Sequence, residues 1–71
     1  MSVITRDDVE NALSKNNKLS EQCEKVLCMR YGLAPYTETH TLEQISIEMV
    51  RARERIRQLE LLALTQLGLR P

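Results

Sequence analysis

Four arginines and one glutamate fall within residues 51–57, and Gln58 follows them. An arginine fork can bond guanine bidentately, a carboxylate can accept from the exocyclic amine of cytosine, and a glutamine amide can pair with adenine. At helical spacing Arg53, Glu54 and Gln58 share one face, and the apolar Ile56 and Leu59 lie opposite. Such a face can read base edges; the plain alternative is a charged helix side that meets only water. Other chemistry is poorly supplied. His40 has neither a nucleophile nor a carboxylate partner in the pattern, so no catalytic role is expected. Cys23, Cys28 and His40 match no common zinc spacing. On one helix, two cysteines five residues apart have Cα atoms roughly 8–9 Å apart, beyond disulfide reach, and they read as small apolar core residues. There is no glycine-rich phosphate loop, no paired-acid site and no triad, so we expect no cofactor, no metal and no enzyme.

Periodicity and caps predict four helices to position these residues. The first spans Arg6–Lys15, with Thr5 as N-cap, Asp7 and Asp8 in the first turn, and an end at Asn16 and Asn17. Val9, Ala12 and Leu13 share its apolar face. The second spans Glu21–Tyr31 behind the N-cap Ser20 and the staple residue Leu19, with Cys23, Val26, Leu27 and Arg30 in helical register. Gly32 suits a left-handed C-cap, and Leu33 suits the apolar contact beyond it. A loop opened by Pro35 leads to the third helix, Leu42–Met49, whose Thr41 and Gln44 form a capping-box pair. The fourth covers residues 52–67, and Gly68 ends it.

Ile45 and Met49 face Ile56 and Leu59 across a turn of only Val50, Arg51 and Ala52, the length that a helix-turn-helix uses. In that motif the N-terminal residues of the second helix enter the major groove. We therefore expect an all-α chain, a small four-helix domain with a C-terminal helix-turn-helix. It is read as a single domain over residues 1–71, with an N-terminal helix in 1–18, the second helix in 19–33 and the helix-turn-helix in 41–68.

Composition narrows the classes. With 71 residues, 42% hydrophobic, 28% charged and only 3% aromatic, the chain suits one small helical domain and not a disordered tail. The absence of Phe and Trp disfavours readers that stack bases on aromatic platforms. Ten basic and ten acidic side chains cancel, which disfavours a nonspecific polyanion binder. The local +3 of residues 51–57 points instead to a small, directed anion contact. No apolar run approaches the ~20 residues of a membrane span, and the start MSVITRDDVE carries no secretion signal. A cytoplasmic protein without membrane contact is expected, with reduced cysteines.

The stretch KVLCMRYG at 25–32, HTLEQI at 40–45, RERIRQLE at 53–60, and Ala63-Leu64 together resemble region 4 of the sigma-70 family factors of bacterial RNA polymerase. The resemblance covers about residues 19–64, roughly two-thirds of the chain. It implies a module that reads the −35 promoter element and docks on the β-subunit flap of RNA polymerase. By position it implies that Arg53, Glu54 and Gln58 read bases. It places Arg30, Thr41, Leu42, Glu43, Arg55 and Arg57 at or near the DNA backbone. A helix N-terminus such as that at Thr41 suits a phosphate.

Two departures stand out. The family's turn commonly reads Leu-Gly-Val-Thr, whereas this chain has Met49-Val50-Arg51-Ala52. Valine resists positive φ, Arg51 stands where an apolar residue is buried, and the loss of a capping Thr at Ala52 costs about 1 kcal/mol. The turn is expected to be strained, rearranged or covered by a partner. Further along, positions where the family is basic hold Leu62, Thr65, Gln66 and Gly68, which predicts poor DNA affinity for this domain alone. Leu61 and Leu64 are expected to share a face that the core does not use. That face would contact protein, either a second copy of the chain or a polymerase-associated regulator. A sigma-mimicking interaction module with little DNA affinity is therefore the second reading. The start at Met1 favours a short independent protein over an excised domain.

Overall fold

The computed structural model describes residues 3–15 and 18–69. They form four helices and no strand: α1 (Arg6–Lys15), α2 (Glu21–Tyr31), α3 (Leu42–Met49) and α4 (Arg53–Gln66). The all-α class is as expected. The expected end of α1 at residues 16 and 17 lies outside the described residues.

Side chains close the front of three helices. Thr5 N–H donates to Asp8 Oδ2 at 3.0 Å, and Asp8 N–H donates to Thr5 Oγ1 at 3.2 Å. Cys23 N–H donates to Ser20 Oγ at 3.3 Å. Thr41 and Gln44 form the full capping box, with Gln44 N–H to Thr41 Oγ1 at 3.1 Å and Thr41 N–H to Gln44 Oε1 at 2.9 Å. α4 has no such cap. Ala52 sits before it with extended φ −62 and ψ 144 and offers no side-chain acceptor. Its extended backbone makes Ala52 the N-cap, so the helix begins at Arg53, one residue later than expected, and it closes at Gln66 with Leu67 as its C-cap.

The far ends of α2, α3 and α4 share one device. A residue with positive φ reverses the chain, and the next N–H reaches back to a carbonyl in the last turn. Gly32 (φ 68), Val50 (φ 53) and Gly68 (φ 77) take the reversing position. The return bonds are Leu33 N–H to Cys28 O at 2.8 Å, Arg51 N–H to Ser46 O at 3.0 Å, and Leu69 N–H to Leu64 O at 2.8 Å.

Apolar stripes from all four helices meet in one core. α2 supplies Cys23, Val26, Leu27, Cys28 and Met29, so it is covered on more than one side. α4 supplies Ile56, Leu59, Ala63 and Leu64, α3 supplies Ile45, and α1 supplies Val9. α2 and α3 both pack on α4, α2 also meets α3, and α1 packs on α2. Burying a side chain such as Leu27, Ile45 or Ile56 contributes about 1.5–3 kcal/mol. Both cysteines are buried free thiols. Burial, helped by the charge of Glu24, pushes the Cys28 thiol up and away from reactivity.

α3 is pinned to the end of α2 through the loop between them. His40 N–H donates to Met29 O at 2.9 Å, and the His40 ring Nδ1 lies 3.0 Å from the same carbonyl. Tyr36 meets the His40 ring edge-on, with centroids 5.6 Å apart. Arg30 Nη1 donates to His40 O at 3.2 Å, directly before the N-cap of α3.

Candidate nucleic-acid interface

The site is the outer side of the α3–α4 unit. Ile45 and Ile56 are fully buried and fix the two helices against each other. Residues opposite Ile56 on α4 must then face outward. Arg53, Glu54, Arg55, Arg57 and Gln58 are all exposed. Leu42, Arg53, Glu54 and Arg57 line a hollow of about 350 Å³ between the start of α3 and the first turns of α4. Three residues expected at base edges or backbone thus meet one from the helix before them.

Within the hollow, Glu54 and Arg57 are joined. Arg57 Nε donates to Glu54 Oε1 at 2.9 Å and to Oε2 at 3.2 Å, and Nη2 donates to Oε2 at 2.6 Å. These hydrogen bonds hold the Glu54 carboxyl below the usual carboxylate range and raise the Arg57 guanidinium above its ordinary value. The pairing was not anticipated from the sequence, although its i,i+3 spacing carries the signal. It leaves Arg51, Arg53 and Arg55 as the cations of this side that face no carboxylate among the described residues.

The other backbone-side candidates are distributed unequally. Thr41 and Glu43 are exposed at the start of α3, and Leu42 is half-buried. The Thr41 hydroxyl already accepts from Gln44 N–H. Arg30 is turned inward: besides its bond to His40 O, its Nε lies 3.4 Å from Glu60 Oε2 without hydrogen-bond alignment. It ties α2 to α4 and to the start of α3.

Two expectations are corrected. Arg51 occupies no buried position. It is exposed, and its Nη1 donates to Val50 O at 3.2 Å. Leu64 is not on an unused face. It is 3% exposed and belongs to the core, so of the expected pair only Leu61, 44% exposed, is accessible. At 100° per residue Leu64 lies about 80° from Ile56 and Leu61 about 140°. Glu60 lies between Ile56 and Leu64 and is itself half-buried. The buried stripe is wider than its apolar letters, and Leu64 closes its edge. The other exposed leucine of this half is Leu62, at 47%.

Together these features define a helix-turn-helix domain whose second helix carries an exposed arginine-rich first half. Residues 17–67 match the family described as sigma-70, region 4. The chain belongs to that family and is a sigma-like transcription module. It is 48% identical over 52 residues to the RNA polymerase sigma factor SigA of Mycoplasma pneumoniae, covering 73% of this chain and 10% of that protein. SigA of Mycoplasma genitalium is 44% identical over the same share of each chain. The RNA polymerase sigma-B factor of a Nostoc strain is 48% identical over 60 residues, covering 84% of this chain and 17% of that protein. The chain therefore spans between a tenth and a fifth of the length of these relatives. No solved structure gives a significant match. Among the described residues no helix is long and apolar enough to cross a membrane, and no cluster of metal-ligating side chains occurs.

Proposed function

We propose that this domain binds −35-type promoter DNA through the outer side of α3 and α4, together with the β flap of RNA polymerase, and acts as a binding module rather than an enzyme. The observation that carries the reading is the exposed Arg53, Glu54 and Gln58 on the first half of α4, beside the capped start of α3. A helix-turn-helix puts that part of its second helix in the major groove, where those three side-chain types match guanine, cytosine and adenine. Arg55, Thr41 and Glu43 flank the same side and fall at the backbone. Titration of promoter and scrambled duplexes tests the reading. Arg53→Ala is expected to cost about 1–3 kcal/mol at one base position and to relax specificity there. Equal affinity of wild type and variant for both duplexes would sink it.

A second reading is favoured by the second half of α4. Leu62, Thr65 and Gln66 are exposed where the resemblance leads one to expect basic residues, so fewer phosphates are neutralised. In that reading the module engages RNA polymerase or a sigma-binding regulator with little DNA affinity of its own. Binding to core polymerase with no promoter dependence, and no salt-sensitive duplex binding, would favour it over the first.

A further inference from the structure

Arg57 falls at a position that suits a phosphate contact, yet its guanidinium is spent on Glu54. Three donor–acceptor distances of 2.6–3.2 Å join the two side chains, and both line the hollow shared with Arg53 and Leu42. A surface ion pair of this kind adds little to stability. Its consequence lies elsewhere. A carboxylate presents about four acceptor sites, and the clamp occupies one on Oε1 and two on Oε2. The orientation of the group is then set by the guanidinium, which grips both of its oxygens. The clamp also places a positive charge beside a carboxylate that must approach DNA, which carries one negative charge per ~1.7 Å of axis. Unpaired, Glu54 would be repelled by that field.

Resting on the DNA-reading proposal above, we infer that Arg57 is the positioning residue for Glu54. It holds the carboxylate in the one orientation that accepts from cytosine, and it is not itself a phosphate contact. A phosphate contact acts on every sequence alike and contributes to the salt dependence of binding. A positioning residue acts only where Glu54 reads. Lysine separates the two roles, because an ammonium keeps the charge but lacks the planar fork that fits a carboxylate bidentately.

The full chain is titrated at low salt with a promoter duplex, with duplexes changed one base pair at a time, and with a scrambled duplex. The proteins are wild type, Glu54→Ala, Arg57→Ala, Arg57→Lys and the Glu54→Ala/Arg57→Ala pair. The expected result is that Arg57→Ala and Arg57→Lys each lose about tenfold discrimination at the same base pair that Glu54→Ala affects. Arg57→Lys keeps the affinity for scrambled duplex and the salt slope while losing that discrimination, and the double variant discriminates no worse than either single one. The inference is overturned if Arg57→Ala weakens all duplexes alike and lowers the salt slope by about one while Arg57→Lys restores both. In that case wild type still discriminates and the DNA-reading proposal stands. A wild type that does not discriminate among the duplexes overturns both.

Discussion

The turns that close α2 and α3 have the same hydrogen-bond geometry and opposite local chemistry. After α2, Gly32 takes φ 68 and ψ 40, and Leu33 then drops into the core at 4% exposure. After α3, Val50 takes φ 53 and ψ 53, stands 80% exposed, and is followed by the exposed Arg51. The first turn is favoured by its own residues. The second is imposed on residues that resist it, since a left-handed conformation costs a residue with a Cβ roughly 1–2 kcal/mol. Only three residues separate Met49 from Arg53. With Ile45 and Ile56 both fully buried, no wider path brings α4 back onto α3. Packing therefore fixes the turn, and the valine is carried by the core.

The sharpest way to break the comparison is at Gly32. A Cβ there would lie 3.1 Å from the Glu38 carbonyl carbon and 3.3 Å from Thr39 N, both backbone atoms, on top of the positive φ. Gly32→Ala is expected to destabilise by about 2–4 kcal/mol in denaturant titration. Gly68 is the control, because it has φ 77 and nothing within 4 Å of a built Cβ. Gly68→Ala is expected to cost only about 1 kcal/mol, the conformational part alone. Equal losses at the two sites would mean that the loop at residues 38 and 39 gives way, and that Gly32 is held by φ alone.

The second test runs the other way, toward a better turn. Val50→Gly removes the strain of a β-branched residue at φ 53, but glycine also loses more backbone entropy on folding, about 0.5–1 kcal/mol. Ala52→Thr supplies the cap that α4 lacks, worth about 1 kcal/mol. The pair is expected to stabilise by about 1–2 kcal/mol, read as a raised melting temperature. No gain would mean that Val50 is as comfortable as Gly32, and the contrast between the turns would collapse.

Helix limits were legible because caps are local. Thr5, Ser20, Thr41 and Gly32 each announce an end within one turn; α2 begins and ends, and α3 begins, where those residues put them. The conformation of Val50 was not legible, because strain, rearrangement and cover by a partner are alike in sequence. The structure shows the strained form, exposed. Leu64 was misread because the stripe on α4 includes the half-buried Glu60, whose letter breaks the apolar run while Arg30 lies beside its carboxylate. The exposed face of Arg53, Glu54 and Gln58 followed from spacing alone. The Glu54–Arg57 clamp did not, since spacing permits a pair without saying which partner a flexible side chain takes.

The smallest effect is expected at that clamp, and it extends the comparison to the start of α4. With no cap at Ala52, the first turn of α4 has an acidic residue, Glu54, as its one favourable side-chain charge toward the helix dipole. Arg57→Gln removes the clamp and keeps that charge, whereas Glu54→Gln removes both. The clamp lowers the Glu54 carboxyl in the folded chain from an ordinary value of 4.5. Its contribution to stability is therefore present above that value and is lost as pH falls through the lower, folded value. Melting temperatures of wild type and Arg57→Gln should differ slightly at neutral pH and converge in acid. The difference should also shrink in high salt, because both side chains are exposed and screened. Glu54→Gln should fall a little further than Arg57→Gln at neutral pH, by the lost dipole interaction. A gap for Arg57→Gln that persists in acid, or that exceeds the gain from Ala52→Thr, would show that Arg57 supports the helix by packing along Leu61 and Glu60, with which it lines a second hollow, and not through its charge.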